Sequence, residues 1–227
     1  MTVREKTSVT LKYLIVVASL GGVLLSLFTA TKDGYSHWAR RLLYFTAQSN
    51  IWIGVTTLFI LLFSFTAYNE KREKRLYLFR FVFTVSITLT GVVFCGILAP
   101  FADKYGFRTW SFSSILTHAL SPALSIADFF LDKRNFSIEN KHVALCAVPP
   151  VLYFLTSFIL EFFYVDFGRG EPYPYFFMNF RSPVGVFGFS SKPPFVMGTF
   201  YWFLIFPALL FIIAFSYKRL YNRKKAK

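Results

Sequence analysis

The run TLKYLIVVASLGGVLLSLFTA, residues 10–30, decides how this chain folds. An apolar helix of about 20 residues, rising about 1.5 Å per residue, crosses the hydrocarbon core of a bilayer. The run is long for the apolar core of a signal peptide. It is followed by Thr31-Lys32-Asp33 with no small-residue cleavage pattern, so it reads as a retained span. Five further apolar runs follow, at about 42–68, 77–99, 112–132, 143–165 and 195–216, each bounded by charge or turn formers. They are continuous rather than alternating. Helices are therefore the expected spans, because lipid requires every backbone polar group to be satisfied internally.

The 227 residues are 55% apolar and 21% aromatic, with charge gathered in short runs. No polar segment is long enough to build a separate core. The expected architecture is all-α: a polytopic membrane protein with six transmembrane helices in one domain, residues 1–227. No internal repeat or low-complexity tract is evident.

Lys and Arg are unevenly distributed. Seventeen fall on the side of the termini, counting Lys12 and Arg80, and eight on the other. Cytoplasmic segments collect these residues, which predicts cytoplasmic termini and an outward-facing loop at 166–194. The same bias accounts for the net charge of +14. The basic tail from Lys218 to Lys227 is expected against anionic headgroups. Nucleic acid is not an expected partner, since no basic face is interleaved with a base-stacking platform. Membrane lipids are the expected surroundings and substrate, and protein partners are left open.

The loop 166–194 is rich in aromatic residues, among them Tyr173, Tyr175, Phe176, Phe177 and Phe180, set between Pro172, Pro174 and Pro183. Such residues prefer an interface or a protein surface to water. The loop is expected to enter the headgroup region or to fold over the helix ends as a lid.

Polar residues inside the spans mark the candidate site. His118 lies about 9 Å below the end of the fourth span, and Thr46 about 6 Å below the matching end of the second. Glu161 on the fifth falls at a similar depth. A histidine in a membrane helix is costly and usually faces a cavity or a partner. At 100° per residue, Ser111, Ser114, His118, Ser121, Ser125 and Asp128 share one face of the fourth span. Ser49, Asn50 and Thr57 lie on the Thr46 side of the second span, and Tyr153, Ser157 and Tyr164 go with Glu161. The serines also suit close helix approach, and a membrane threonine often bonds the carbonyl one turn back. Asp128, about 15 Å along the axis from His118, is too distant to orient the imidazole; a role in folding is expected. His37 and His142 read as interfacial. Cys95 and Cys146 read as small buried hydrophobes, too far apart for a disulfide. No cofactor or metal is expected: the chain has no P-loop, dinucleotide fingerprint, Gly-x-Ser-x-Gly elbow or metal-ligand spacing.

Three features together resemble a known family: Tyr44-Phe45-Thr46-Ala47-Gln48-Ser49-Asn50, the fourth-span His118 with Pro122 and Asp128, and the loop segment Glu171-Pro172-Tyr173-Pro174-Tyr175. The chain is similar to the androgen-induced intramembrane threonine hydrolases, and closer to their bacterial six-helix relatives. The resemblance implies a bacterial plasma-membrane lipid ester hydrolase in which Thr46 is the nucleophile and His118 the base. On the residues alone, Asn50 is expected as an oxyanion donor and Glu161 as the group orienting the imidazole. Two other outcomes stay open: an acyltransferase using the same pair, and a non-enzymatic membrane protein. The latter covers a proton-coupled transporter, a lipid binder or an envelope-complex accessory subunit.

Overall fold

The computed structural model describes residues 2–67, 69–104, 109–132 and 136–225. Among the described residues six helices are long and apolar enough to cross a membrane: Val3–Thr29, Phe45–Phe63, Glu70–Ala102, Phe112–Leu131, Asn140–Phe162 and Thr199–Arg223. They are called the first to sixth spans below. Among the described residues there is no β-structure beyond one isolated bridge, Phe189 with Met197. Of the cations counted above, Arg108, Lys133, Arg134 and Lys227 lie outside the described residues.

Local chemistry sets the helix starts. Thr2 and Glu5 form a reciprocal capping box on the first span, and Asn69 caps the third through the Arg72 N–H at 3.0 Å. The Ser111 hydroxyl accepts from the Ser114 N–H at 3.2 Å and opens the fourth. His142, read as interfacial, is buried. It completes a box with Glu139, whose N–H donates to His142 Nδ1 at 3.1 Å.

The second span departs from its expected start. Residues Trp38–Leu43 form a 3-10 turn, and the α-helix begins only at Phe45. Thr46 therefore sits in the first helical turn instead of four residues inside the helix. The apolar run gave no hint of this, because hydropathy does not distinguish a 3-10 turn from an α-helix.

Both ends of the chain meet the 131–140 region. Arg4 Nε donates to the Leu131 carbonyl at 2.7 Å, and Asn222 Nδ2 to the Ile138 carbonyl at 2.9 Å. The termini thus share one face of the bundle. Its core there is Phe81, Phe129, Ile138, Val143, Leu210 and Tyr217. A smaller cluster of Ile15, Ile53 and Ile87 fills the middle. At the opposite face the core is Phe45, Tyr153, Phe177, Met178 and Trp202. Leu152, Leu155, Ile159 and Phe162 on the fifth span, with Leu204, Ile212 and Phe215 on the sixth, stay exposed. Lipid, and not water, is the solvent that tolerates such a surface.

Beneath the termini face lies a closed set of charges. Lys12 Nζ stands 3.1 Å from Asp128 and 2.8 Å from Asp132. Arg80 bridges the same two carboxylates, reaching Asp132 at 2.7 Å. The hydroxyls of Ser8 and Tyr77 donate to Asp128 and Asp132. This corrects the charge count, in which Lys12 and Arg80 stood as loop cations: both are buried inside the bundle and neutralised there. It also gives Asp128 its folding role. Burial alone would raise the Asp132 carboxyl; Arg80 and Lys12 outweigh that and hold it well below the usual carboxylate range.

Candidate functional site

Three spans carry a π-helical turn: Val17–Gly21 in the first, Phe94–Leu98 in the third and Leu116–Leu120 in the fourth. The fourth-span turn, which holds His118, touches both others. Such turns widen the backbone, often at functional sites. Two glycines allow the close approach. A Cβ on Gly22 would meet Thr117 Cγ2 at 2.8 Å, and one on Gly91 would meet the His118 carbonyl oxygen at 3.0 Å.

Within this frame Thr46 Oγ1 stands 3.1 Å from His118 Nε2. The other ring nitrogen fixes the tautomer. Nδ1 lies 3.1 Å from the Ser114 carbonyl oxygen, which can only accept, so Nδ1 carries the proton. Nε2 is left with its lone pair toward Thr46, and the Thr46 hydroxyl donates to it. The hydroxyls of Ser114 and Thr117 flank Nδ1 at 3.1 and 3.2 Å. Phe94 stacks on the imidazole with ring centroids 3.7 Å apart.

A cavity of about 130 Å³ opens on the other side of Thr46. Its wall is almost wholly apolar, formed by residues such as Leu89, Val93, Phe154, Trp202, Phe203 and Phe206. Thr46 lines this space while His118 does not. The hydroxyl is thus presented to the cavity with the base behind it, the placement that an activated nucleophile needs.

The two supporting residues expected from sequence do other things. Asn50 donates both amide hydrogens to carbonyls, to Thr46 at 2.8 Å and to Thr117 at 3.0 Å. No donor remains for an oxyanion. Asn50 instead ties the backbone of the threonine to that of the residue before the histidine, which sets their separation. Ser49 adds a second tie, its hydroxyl 2.9 Å from Thr90 Oγ1 on the third span. Glu161 does not orient the imidazole, since the Ser114 carbonyl does so. Its carboxylate accepts from the Phe180 N–H at 3.0 Å and pins the loop to the fifth span.

The loop between the fifth and sixth spans folds over this end of the bundle. Phe177 and Met178 are buried, and Phe177 packs on Trp202 and Phe206. Asp166 anchors the loop start by accepting from Gly168 N, Gly170 N and Ser36 Oγ at 2.7, 2.9 and 2.9 Å. Tyr164, expected on the Glu161 face, instead ends the helix in a left-handed conformation (φ 54°) and is exposed beneath the Arg181 guanidinium. His37 caps the Trp38–Leu43 turn. Cys146 is buried as expected, but Cys95 is exposed, and both are free.

Sequence reasoning missed Tyr175, whose ring reaches the cavity beside Thr46. Its hydroxyl stands near the side-chain hydroxyl and the backbone N–H of Thr46, without a hydrogen bond of good geometry to either. Among the described residues no group of three or more His, Cys, Asp or Glu side chains stands close enough to hold a metal ion. No family model, no curated protein and no solved structure matches the chain.

Proposed function

We propose that the protein is an intramembrane lipid ester hydrolase that uses Thr46 as nucleophile and His118 as general base. The observation that carries this reading is the 3.1 Å contact between Thr46 Oγ1 and His118 Nε2 at the wall of an apolar cavity. The residues that resemble the threonine hydrolases include this pair.

In this reading an acyl chain occupies the apolar cavity and brings its ester carbonyl to Thr46. The Thr46 oxygen forms a bond to the carbonyl carbon as its proton passes to Nε2, and the carbonyl electron pair moves onto oxygen. When that pair returns, the bond to the alcohol breaks, and Nε2 gives its proton to the departing alcohol oxygen. Water, activated by the same nitrogen, then releases the acid from acyl-Thr46. A backbone carbonyl orients the imidazole here, in the place a carboxylate takes in the usual triad. The site lies at the face opposite the termini, which the distribution of Lys and Arg assigns to the extracytoplasmic side; a bacterial plasma membrane is what the resemblance implies.

The test is turnover of p-nitrophenyl esters and of a lipid ester panel by purified protein. Thr46→Ala and His118→Ala are each expected to fall to the background rate. Unchanged turnover in either variant would contradict the reading.

A further inference from the structure

We propose that Tyr175 is a catalytic residue of this site, its hydroxyl donating to the oxygen that becomes negative when Thr46 adds to an ester carbonyl. The proposal rests on the hydrolase reading and supplies the oxyanion donor that Asn50 cannot be.

Placement comes first. Tyr175 and Thr46 line the same cavity, and the Tyr175 hydroxyl stands near the hydroxyl and the N–H of Thr46. A carbonyl carbon within bonding reach of Thr46 Oγ1 holds its oxygen in this neighbourhood. The surrounding wall offers little else that is polar. Thr90 and Thr199 line the cavity too: the Thr90 hydroxyl is engaged by Ser49 and by the Ser86 carbonyl at 3.2 Å, and the Thr199 hydroxyl, at the start of the sixth span, has no hydrogen-bond partner.

The start of the second span explains how the phenol is prepared. The first N–H groups of a helix have no carbonyl within the helix to bond. The Thr46 N–H is one of these, and the Tyr175 oxygen stands near it. A phenol oxygen that accepts such an N–H makes its own proton a stronger donor, and that proton can turn from the neighbouring hydroxyls to a carbonyl oxygen. The positive end of the helix adds to the same effect. Burial pushes the Tyr175 hydroxyl up to about 12, so it keeps its proton across the physiological range.

A second hydroxyl stands beside it. Tyr153 Oη is buried and makes no hydrogen bond of good geometry, with the Ser157 hydroxyl, the Phe45 N–H and the Tyr175 hydroxyl as its neighbours. An unsatisfied buried hydroxyl is costly, and it is retained here at the polar spot of an apolar cavity. The Tyr175 ring is fixed by an edge contact to Tyr44 at 5.7 Å and a stack on Phe177 at 5.0 Å. The donor is therefore held in place before substrate arrives, as stabilisation of a developing charge requires.

The experiment measures kcat and KM for a p-nitrophenyl ester with the full chain in detergent or nanodiscs. Tyr175→Phe is expected to lower kcat by about 10²-fold or more, with KM nearly unchanged. Tyr173→Phe, which removes a hydroxyl from the same loop without touching Thr46, is expected to leave kcat unchanged. A fluorinated tyrosine at position 175 keeps the shape and lowers the phenol pKa. Turnover should then be lost at a lower pH than in the parent protein, because a phenolate has no proton to donate. Activity that depends on Thr46 but keeps its parent kcat in Tyr175→Phe, or an unshifted pH profile with the fluorinated residue, overturns this proposal alone. Turnover that survives Thr46→Ala overturns the hydrolase reading and this proposal with it.

Discussion

Two buried polar clusters sit at opposite ends of the bundle, and they are built on opposite terms. At the termini face, Lys12, Arg80, Asp128 and Asp132 balance one another, with Ser8 and Tyr77 supplying further hydrogen bonds. Nothing there is left over to act on a substrate. At the loop face the hydrogen-bonded Thr46–His118 pair stands at a cavity wall beside Tyr175, and the buried hydroxyls of Tyr153 and Thr199 on the same wall have no hydrogen-bond partner. Charge that is fully paired holds helices in register. Polarity that is incompletely paired beside an apolar cavity is what chemistry uses.

Substitution should separate the two ends by what is lost. The largest effect is expected at Thr46. Thr46→Ala should lower ester turnover by about 10⁴-fold, as loss of a nucleophile does in comparable triads, while the thermal midpoint in detergent stays within a few degrees. At the other end, Asp128→Ala should cost about 3–5 kcal/mol of stability, because Lys12 and Arg80 are left to share Asp132 and one buried charge goes uncompensated. Denaturant titration in mixed micelles measures this loss. A full-strength fold in Asp128→Ala would remove the distinction between the two clusters.

The sequence made part of this comparison legible. The six runs, the threonine and histidine at matching depth, and the inward stripe from Ser114 through Ser121, Ser125 and Asp128 all follow from hydropathy and helical phase. What it hid is partnership. Lys12 and Arg80 look like loop cations because their position near span ends says nothing of the carboxylates they meet. Asn50 was visible as a donor, yet the two carbonyls that consume its hydrogens belong to different spans. The late start of the second span at Phe45, and with it the free N–H of Thr46, depends on a 3-10 turn whose composition matches a helix. Tyr175 lies in a loop and reaches the site only through tertiary contacts.

Asn50 offers a sharper test of how the site is set. Asn50→Ala frees two carbonyls and loosens the tie between Thr46 and Thr117. It should cost about 10- to 100-fold in kcat through misplacement of the pair. The check is kcat together with the thermal midpoint, and a fall in stability with no change in kcat would count against a positioning role.

The smallest effect concerns the loop anchor. Slight burial raises the Asp166 carboxyl, but bonds from the Gly168 N–H, the Ser36 hydroxyl and the Gly170 N–H outweigh it and lower its pKa. A lowered pKa means that the anchor contributes fully above the unfolded value of about 3.9 and is lost as pH falls through the folded one. Limited proteolysis of the 163–198 loop should therefore quicken below about pH 4 in the parent protein. In Asp166→Asn the loop should be cut faster at neutral pH, with the acid-dependent step gone.

The central claim is that His118 activates the Thr46 hydroxyl, and covalent capture tests it most directly. The purified protein is treated with a fluorophosphonate, and the modified residue is located by peptide mass spectrometry. The account predicts a single adduct on Thr46 that disappears in His118→Ala. An adduct on another residue, or labelling of Thr46 that proceeds at the same rate without His118, would contradict it.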